Sequence, residues 1–268
     1  MKTDKVYLHQ HINRMTHESF RFFLSLTQLK WSQHIWAELK YQQKHVKRII
    51  FFGIHSAASF HIQPKNPTQQ YLLDCIENYA ISVAIGPAGT GKTYCSAMKV
   101  SQLYLKGGYD KIVLSRVNIP TGRSLGFFPG TVQEKMAPWL MPLTDVLKKG
   151  LGAGRYTHME NKGEIEVQPI ETIRGRSYEN TLVLVDESQN LTIEEIKAIS
   201  TRLGEGSKLV LLGDPNQSDV NSGEGLVQFV EMCAKYNIEI PICRFGINDI
   251  VRSDIVSQLV KMFYKESL

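Results

Sequence analysis

Cysteine is scarce: the 268 residues hold only four, at positions 75, 95, 233 and 243. They form no CxxC pair and no metal-ligand spacing, which excludes a disulfide scaffold and a cysteine-based zinc module. Such usage belongs to a reducing cytoplasm, the expected location. Long apolar runs are also missing. A membrane-crossing helix needs roughly 20 apolar residues, and the nearest stretch, IIFFGI at 49–54, is far shorter. The amino terminus lacks the apolar segment of a signal peptide. With 43% hydrophobic and 21% charged residues, wholesale disorder is excluded, and the length allows one substantial core with a modest appendage.

Acids are sparse at the start. Residues 1–60 carry nine Lys and Arg against three Asp and Glu, so the net charge of +5 sits on a basic head and the rest is nearly neutral. This distribution permits nucleic-acid contact, and it equally suits a solvated charged face. Six of the eight histidines lie in this head, but His9, His11 and His17 have no matching acids or cysteines beside them and read as surface residues. Residues 1–60 are expected to be a basic, aromatic, helical extension, and 61–268 a separate α/β domain.

From FHIQPKNPTQQ onward the chain changes rhythm. Pro64 and Pro67 favour an extended connection, and Thr68 is a candidate N-cap for the helix that follows. Short apolar runs then alternate with helical stretches: strands at 80–85, 111–114, 181–185, 207–212 and 238–243, and helices near 91–106 and 192–202. This alternation predicts an α/β fold with a mostly parallel sheet covered on both faces, whose ligands bind at the carboxyl ends of its strands. The interval 116–180 is too long for one connection. It reads as an elaborated crossover, with a helix through VQEKMAPWLMPLTDVLKK, a glycine-rich bend LGAG and a further strand in EIEVQPI.

Three strand ends carry chemistry. GPAGTGKT at 86–93 fits the phosphate-loop pattern GxxxxGK[ST] between a strand and a helix. Gly86, Gly89 and Gly91, with Pro87, Ala88 and Thr90 between them, let backbone amides curl around phosphate. Lys92 can reach the terminal phosphates, Thr93 can ligate Mg²⁺, and Tyr94 follows in the expected first helical turn. In TLVLVDESQN, Asp186 is placed to hold Mg²⁺ and Glu187 to activate water. In LVLLGDPNQSD, Gln217 can donate to the terminal phosphate or align water, and Asp214 can orient Gln217 or the magnesium shell. A calcium loop starting at Asp214 fails, because its sixth and twelfth positions are Asp219 and Gly225. Together the three loops point to a P-loop nucleotide hydrolase that uses ATP and Mg²⁺.

Over approximately residues 61–264 the sequence resembles the PhoH-like ATPase family, in IGPAGTGKTY, LSR, SLGFFPG, PWLMPL, IRGRSYEN, LVLVDESQN, TRLGEGSKLVLLGDPNQSD and CRFGINDIVRSDIV. The resemblance implies a helicase/RecA-like core similar to the first motor domain of superfamily-one helicases, with nucleotide hydrolysis and assembly into a homo-oligomer such as a hexameric ring. By the same likeness, Gln69 in NPTQQ is the candidate reader of adenine; a simple helix-starting role is the competing account. The chain departs from the family at Thr121 and Arg123, where acids are common, in LSRVN, which lacks the usual Arg-Pro, and after Arg252, where a histidine is frequent.

Hydrolysis gains from a cation beside the transferring phosphate. Arg244 is the first candidate and Arg252 the second, either expected to act across a subunit boundary, since no second motor domain supplies the group in cis. Arg116, Arg123, Lys135, Arg174 and Arg176, with Phe127, Phe128 or Trp139, form a candidate surface for RNA or single-stranded DNA; the aromatics fit an inserted core or an oligomer interface as well. The expected function is Mg²⁺-dependent ATP hydrolysis coupled to nucleic-acid binding, the alternative being a nucleotide-controlled protein-binding or assembly module.

Overall fold

A computed structural model of the chain describes residues 60–117, 132–173, 176–217 and 225–266. The chain divides into two units, Met1–Ile50 and Phe51–Leu268, and every described residue belongs to the second. The expected helical extension therefore lies outside the described residues except for Phe60, as do Thr121, Arg123, Phe127, Phe128 and Arg174.

Six strands form one sheet in the order β3-β2-β4-β5-β1-β6: β1 (Ile81–Ile85), β2 (Lys111–Arg116), β3 (Ile165–Val167), β4 (Thr181–Asp186), β5 (Lys208–Gly213) and β6 (Ile242–Arg244). Every pairing is parallel. The helices are α1 (Pro67–Asn78), α2 (Lys92–Lys106), α3 (Val132–Leu151), α4 (Ala153–Asn161), the single turn α5 (Ile170–Ile173), α6 (Ile193–Ser200), α7 (Gly225–Lys235) and α8 (Asp254–Glu266). The parallel sheet is the one expected from the strand-helix alternation, and the layout is the P-loop, RecA-like one that the family resemblance implied.

Alternation of side chains along each strand splits the core in two. Leu182 and Leu184 of β4 join Leu72 of α1, Tyr104 of α2 and Leu143 of α3 on one face. Val183 and Val185 join Ile196 and Ile199 of α6 and Leu226 of α7 on the other. Because both faces are buried, the central strands read as unbroken apolar runs, which is why they were visible in the sequence.

Some boundaries differ from the sequence expectation. Thr68 is not the cap of α1: Asn66 is, accepting from the Gln69 amide, while Pro67 occupies the first turn. The residue before a proline is driven to extended backbone, so Asn66 adopts φ −152° and becomes the last non-helical position. The run 238–243 contributes only Ile242 and Cys243 to a strand that ends at Arg244. Pro241 cannot donate to a ladder and instead accepts from the Val83 amide at the sheet edge. The glycine bend is confined to Gly152, with φ 85°, and helix α4 starts directly after it. Among the described residues no helix is long and apolar enough to cross a membrane.

Candidate functional site

Parallel pairing brings the carboxyl ends of β1, β5 and β4 side by side, with Ile85 opposite Gly213 and Val185 opposite Leu211. The phosphate loop, the Asp214–Gln217 turn and the Asp186–Glu187 pair therefore meet on one edge of the sheet. They line a cavity of ≈ 780 Å³ with Ala88, Gly89, Gly91, Lys92, Thr93 and Tyr94, and Gln69, Asp214, Gln217 and Arg252 complete its wall.

The loop is fixed from both sides. Gly86 has φ 139°, and a Cβ there would lie 2.2 Å from the Phe245 carbonyl oxygen, so only glycine fits between β1 and the chain leaving β6. The Val251 amide donates to the Gly89 carbonyl at 2.9 Å. Across the loop, Gln69 is 3% exposed; its Nε2 donates to the Thr90 carbonyl at 2.9 Å and its Oε1 accepts from the Lys65 amide at 2.8 Å. Gln69 thus braces the loop, keeping one N–H and one lone pair of its amide unused by these bonds. The buried Thr90 hydroxyl donates to the Pro87 carbonyl at 3.0 Å. Lys92 folds back over the loop, with Nζ donating to the carbonyls of Gly86 at 2.5 Å and Pro87 at 2.8 Å.

The electrostatics of the cavity are set by burial. Asp186 is pushed up to about 6, chiefly because burial disfavours the carboxylate and also because Glu187 is adjacent; Arg116 and Lys92 pull the other way. Burial likewise raises Asp214 above the usual carboxylate range. Burial lowers the Lys92 ammonium, against the opposing pull of Asp214, Asp186 and Glu187. A cavity with two under-neutralised carboxylates has the chemistry to accept a hard cation, for which Asp186 and Thr93 offer oxygen ligands. Among the described residues no cluster of three or more His, Cys, Asp or Glu could hold a metal. A cation here would take most of its ligands from phosphate and water, as Mg²⁺ commonly does.

Glu187 has left-handed backbone, φ 54°, rare for a residue with a side chain. Its Oε1 accepts from Arg116 Nη2 at 2.7 Å and its Oε2 from Gln189 Nε2 at 2.8 Å. Gln189 Oε1 in turn accepts from the Asp214 amide at 3.1 Å, and Gln217 Nε2 donates to Asp214 Oδ2 at 2.7 Å. One chain of hydrogen bonds therefore joins the Asp186–Glu187 strand end to the Gln217 turn. Gln189, 2% exposed, was not among the expected site residues, although its place two residues after Glu187 in DESQN was the available signal.

The arginines separate. Arg252 lies over the loop, its Cγ 3.1 Å from where a Gly89 Cβ would be, and lines the cavity of its own chain. Arg244 ends edge strand β6, is exposed, and is not among the lining residues. Arg116 was expected on a phosphate-binding surface, but it points into the site toward Glu187 and Asp186. Arg176 pairs with Glu166 at 2.9 Å, away from the cavity. The Lys135 side chain lies outside the described residues.

The family model described as PhoH-like protein matches residues 61–264. A PhoH-like protein of Synechocystis is 34% identical over 203 residues, covering 75% of this chain and 62% of that protein. One of Bacillus subtilis is 35% identical over 208 residues, covering 77% and 65%. The chain thus spans less than two thirds of the length of these relatives. A large terminase from a thermophilic bacteriophage aligns at TM-score 0.45 with 10% identity, over 76% of this chain and 50% of that one, below the level that identifies a shared fold. The chain belongs to the PhoH-like protein family, a membership that supports a nucleotide-binding role.

Proposed function

We propose that this chain hydrolyses ATP with Mg²⁺ and couples turnover to contact with RNA or single-stranded DNA. The observation that carries the reading is the convergence of phosphate loop, Asp186–Glu187 and Asp214–Gln217 on one cavity. In this scheme the loop amides and Lys92 hold the phosphates, and Thr93 and Asp186 would hold Mg²⁺, which neutralises charge on the phosphate oxygens. Glu187 takes the proton of the attacking water. Gln217, held by Asp214, faces the terminal phosphate, and Arg252 supplies a cation from the same chain. Arg244, exposed on the edge strand, is the arginine better suited to act on a neighbouring copy.

The test is ATP turnover with Mg²⁺, with and without single-stranded RNA. Glu187→Gln is expected to lower turnover by about 10²-fold or more while retaining nucleotide binding. Stimulation by RNA in the parent and none in the variant would support the coupling; turnover indifferent to RNA and to single-stranded DNA would remove it.

Helix α8 favours self-assembly as a companion reading. Ile255, Leu259, Met262 and Phe263 are exposed along it, Ile255 and Phe263 at 63% and 62%, an apolar row that a second copy would cover. Such assembly also fits the alternative of a nucleotide-controlled binding module. A native mass of one chain at micromolar concentration, with and without nucleotide, would count against it.

A further inference from the structure

We propose that Arg116 is a restraint on Glu187, a positioning residue that holds the candidate base in a resting orientation until helix α3 draws the guanidinium away. The inference rests on the reading of Glu187 as the base for ATP hydrolysis and goes beyond it by naming how the site is kept slow.

The geometry follows from strand order. β2 lies beside β4, with Arg116 in register with Asp186. From there Arg116 Nη2 donates to Glu187 Oε1 at 2.7 Å, and Nη1 lies 3.7 Å from Asp186 Oδ2. Nη1 also donates to the Trp139 carbonyl of α3 at 2.9 Å. One guanidinium therefore ties the two adjacent acids at the end of β4 to helix α3. The far oxygen of Glu187 is held by Gln189. Both carboxylate oxygens are thus directed by protein donors, although Glu187 lines the cavity.

A purely stabilising role explains this poorly, because the Glu187 side chain is 35% exposed and an ion pair so open to water adds little to stability. The chemical effect is larger. A base must aim a lone pair at water and accept its proton in the transition state, and a carboxylate whose two oxygens already accept from Arg116 and Gln189 has those lone pairs directed away from the water. The other end of the tie can yield. Trp139 sits between Pro138 and Pro142, neither of which can supply a helical N–H, so α3 is weakest where it holds Arg116. Displacement of that turn withdraws the guanidinium and frees Glu187.

The test compares wild type, Arg116→Ala and Arg116→Gln as full chains, measuring ATP turnover with Mg²⁺ and affinity for a fluorescent ATP analogue. Arg116→Gln keeps a donor for the Trp139 carbonyl and guards against a folding failure of Arg116→Ala. Both variants are expected to raise basal turnover by about three- to tenfold, a fraction of the roughly 10²–10⁴-fold that a correctly positioned general base contributes, with nucleotide affinity unchanged. Adding Glu187→Gln must abolish the gain, which a merely structural role of Arg116 would not require. Turnover equal to or below wild type at unchanged affinity overturns the proposal, and so does a gain that survives Glu187→Gln. If wild type binds ATP without hydrolysing it, the proposed ATPase activity fails for the resting chain; the restraint then stands only if a variant begins to hydrolyse, and falls if both stay inactive.

Discussion

Replacing Asp186 by asparagine is expected to make the nucleotide-free protein more stable. The Asp186 carboxyl titrates at about 6 in the folded chain against an ordinary 3.8, chiefly through burial. The folded state thus holds this proton more tightly than the unfolded state does. Stability falls as pH rises from about 4 to about 6, and the full penalty is present above that window. At about 1.4 kcal/mol for each pH unit, the penalty at neutral pH is on the order of 3 kcal/mol. Asp186→Asn keeps the shape, removes the buried charge and leaves Arg116 paired with Glu187 at 2.7 Å. Urea unfolding in EDTA should show the variant more stable at pH 7.5 by roughly 1–3 kcal/mol, with the difference shrinking toward pH 4; in a melt this is about 2–4 °C per kcal/mol. Adding Mg²⁺ and ATP should reverse the order, because a cation compensates the carboxylate and has no equivalent use for the amide. A variant less stable than the parent at neutral pH without metal, or a difference that ignores pH, would refute the reasoning.

Two further substitutions probe the loop supports. Gly86→Ala places a methyl 2.2 Å from the Phe245 carbonyl oxygen at a backbone φ of 139°, so a loss of about 3 kcal/mol or more in urea unfolding is expected, together with loss of nucleotide binding. Near-parent stability would mean that the loop is free to move away from β6. Gln69→Ala leaves the Thr90 carbonyl and the Lys65 amide without their partner, a cost of about 1–3 kcal/mol. Binding of ATP and GTP analogues should weaken alike, since the brace acts through the loop; a loss confined to ATP would make Gln69 the reader of adenine.

How much was legible depended on where each contact lies along the chain. The strands at 181–186 and 208–213 were visible because burial on both faces demands continuous apolar runs, and each run ends at its own functional loop. Edge strand β6 was read too long because the apolar run 238–243 reads as one unit, although Pro241 inside it has no N–H to give a ladder and the strand starts only at Ile242. Helices α7 and α8 were not anticipated, and the exposed apolar residues of α8 obscure any one-sided pattern.

The sequence alone determined the parts whose chemistry is contiguous: a phosphate loop between strand and helix, two adjacent acids at a strand end, and an Asp–Gln turn after another strand. Only the tertiary structure decided how these parts are held. Arg116 meets Glu187 across 71 positions, Gln69 braces Thr90 across 21, and the Val251 amide closes on Gly89. The physical reason is strand order: β2 beside β4, and β6 beside β1, bring together side chains and backbone groups that no local pattern in the chain relates.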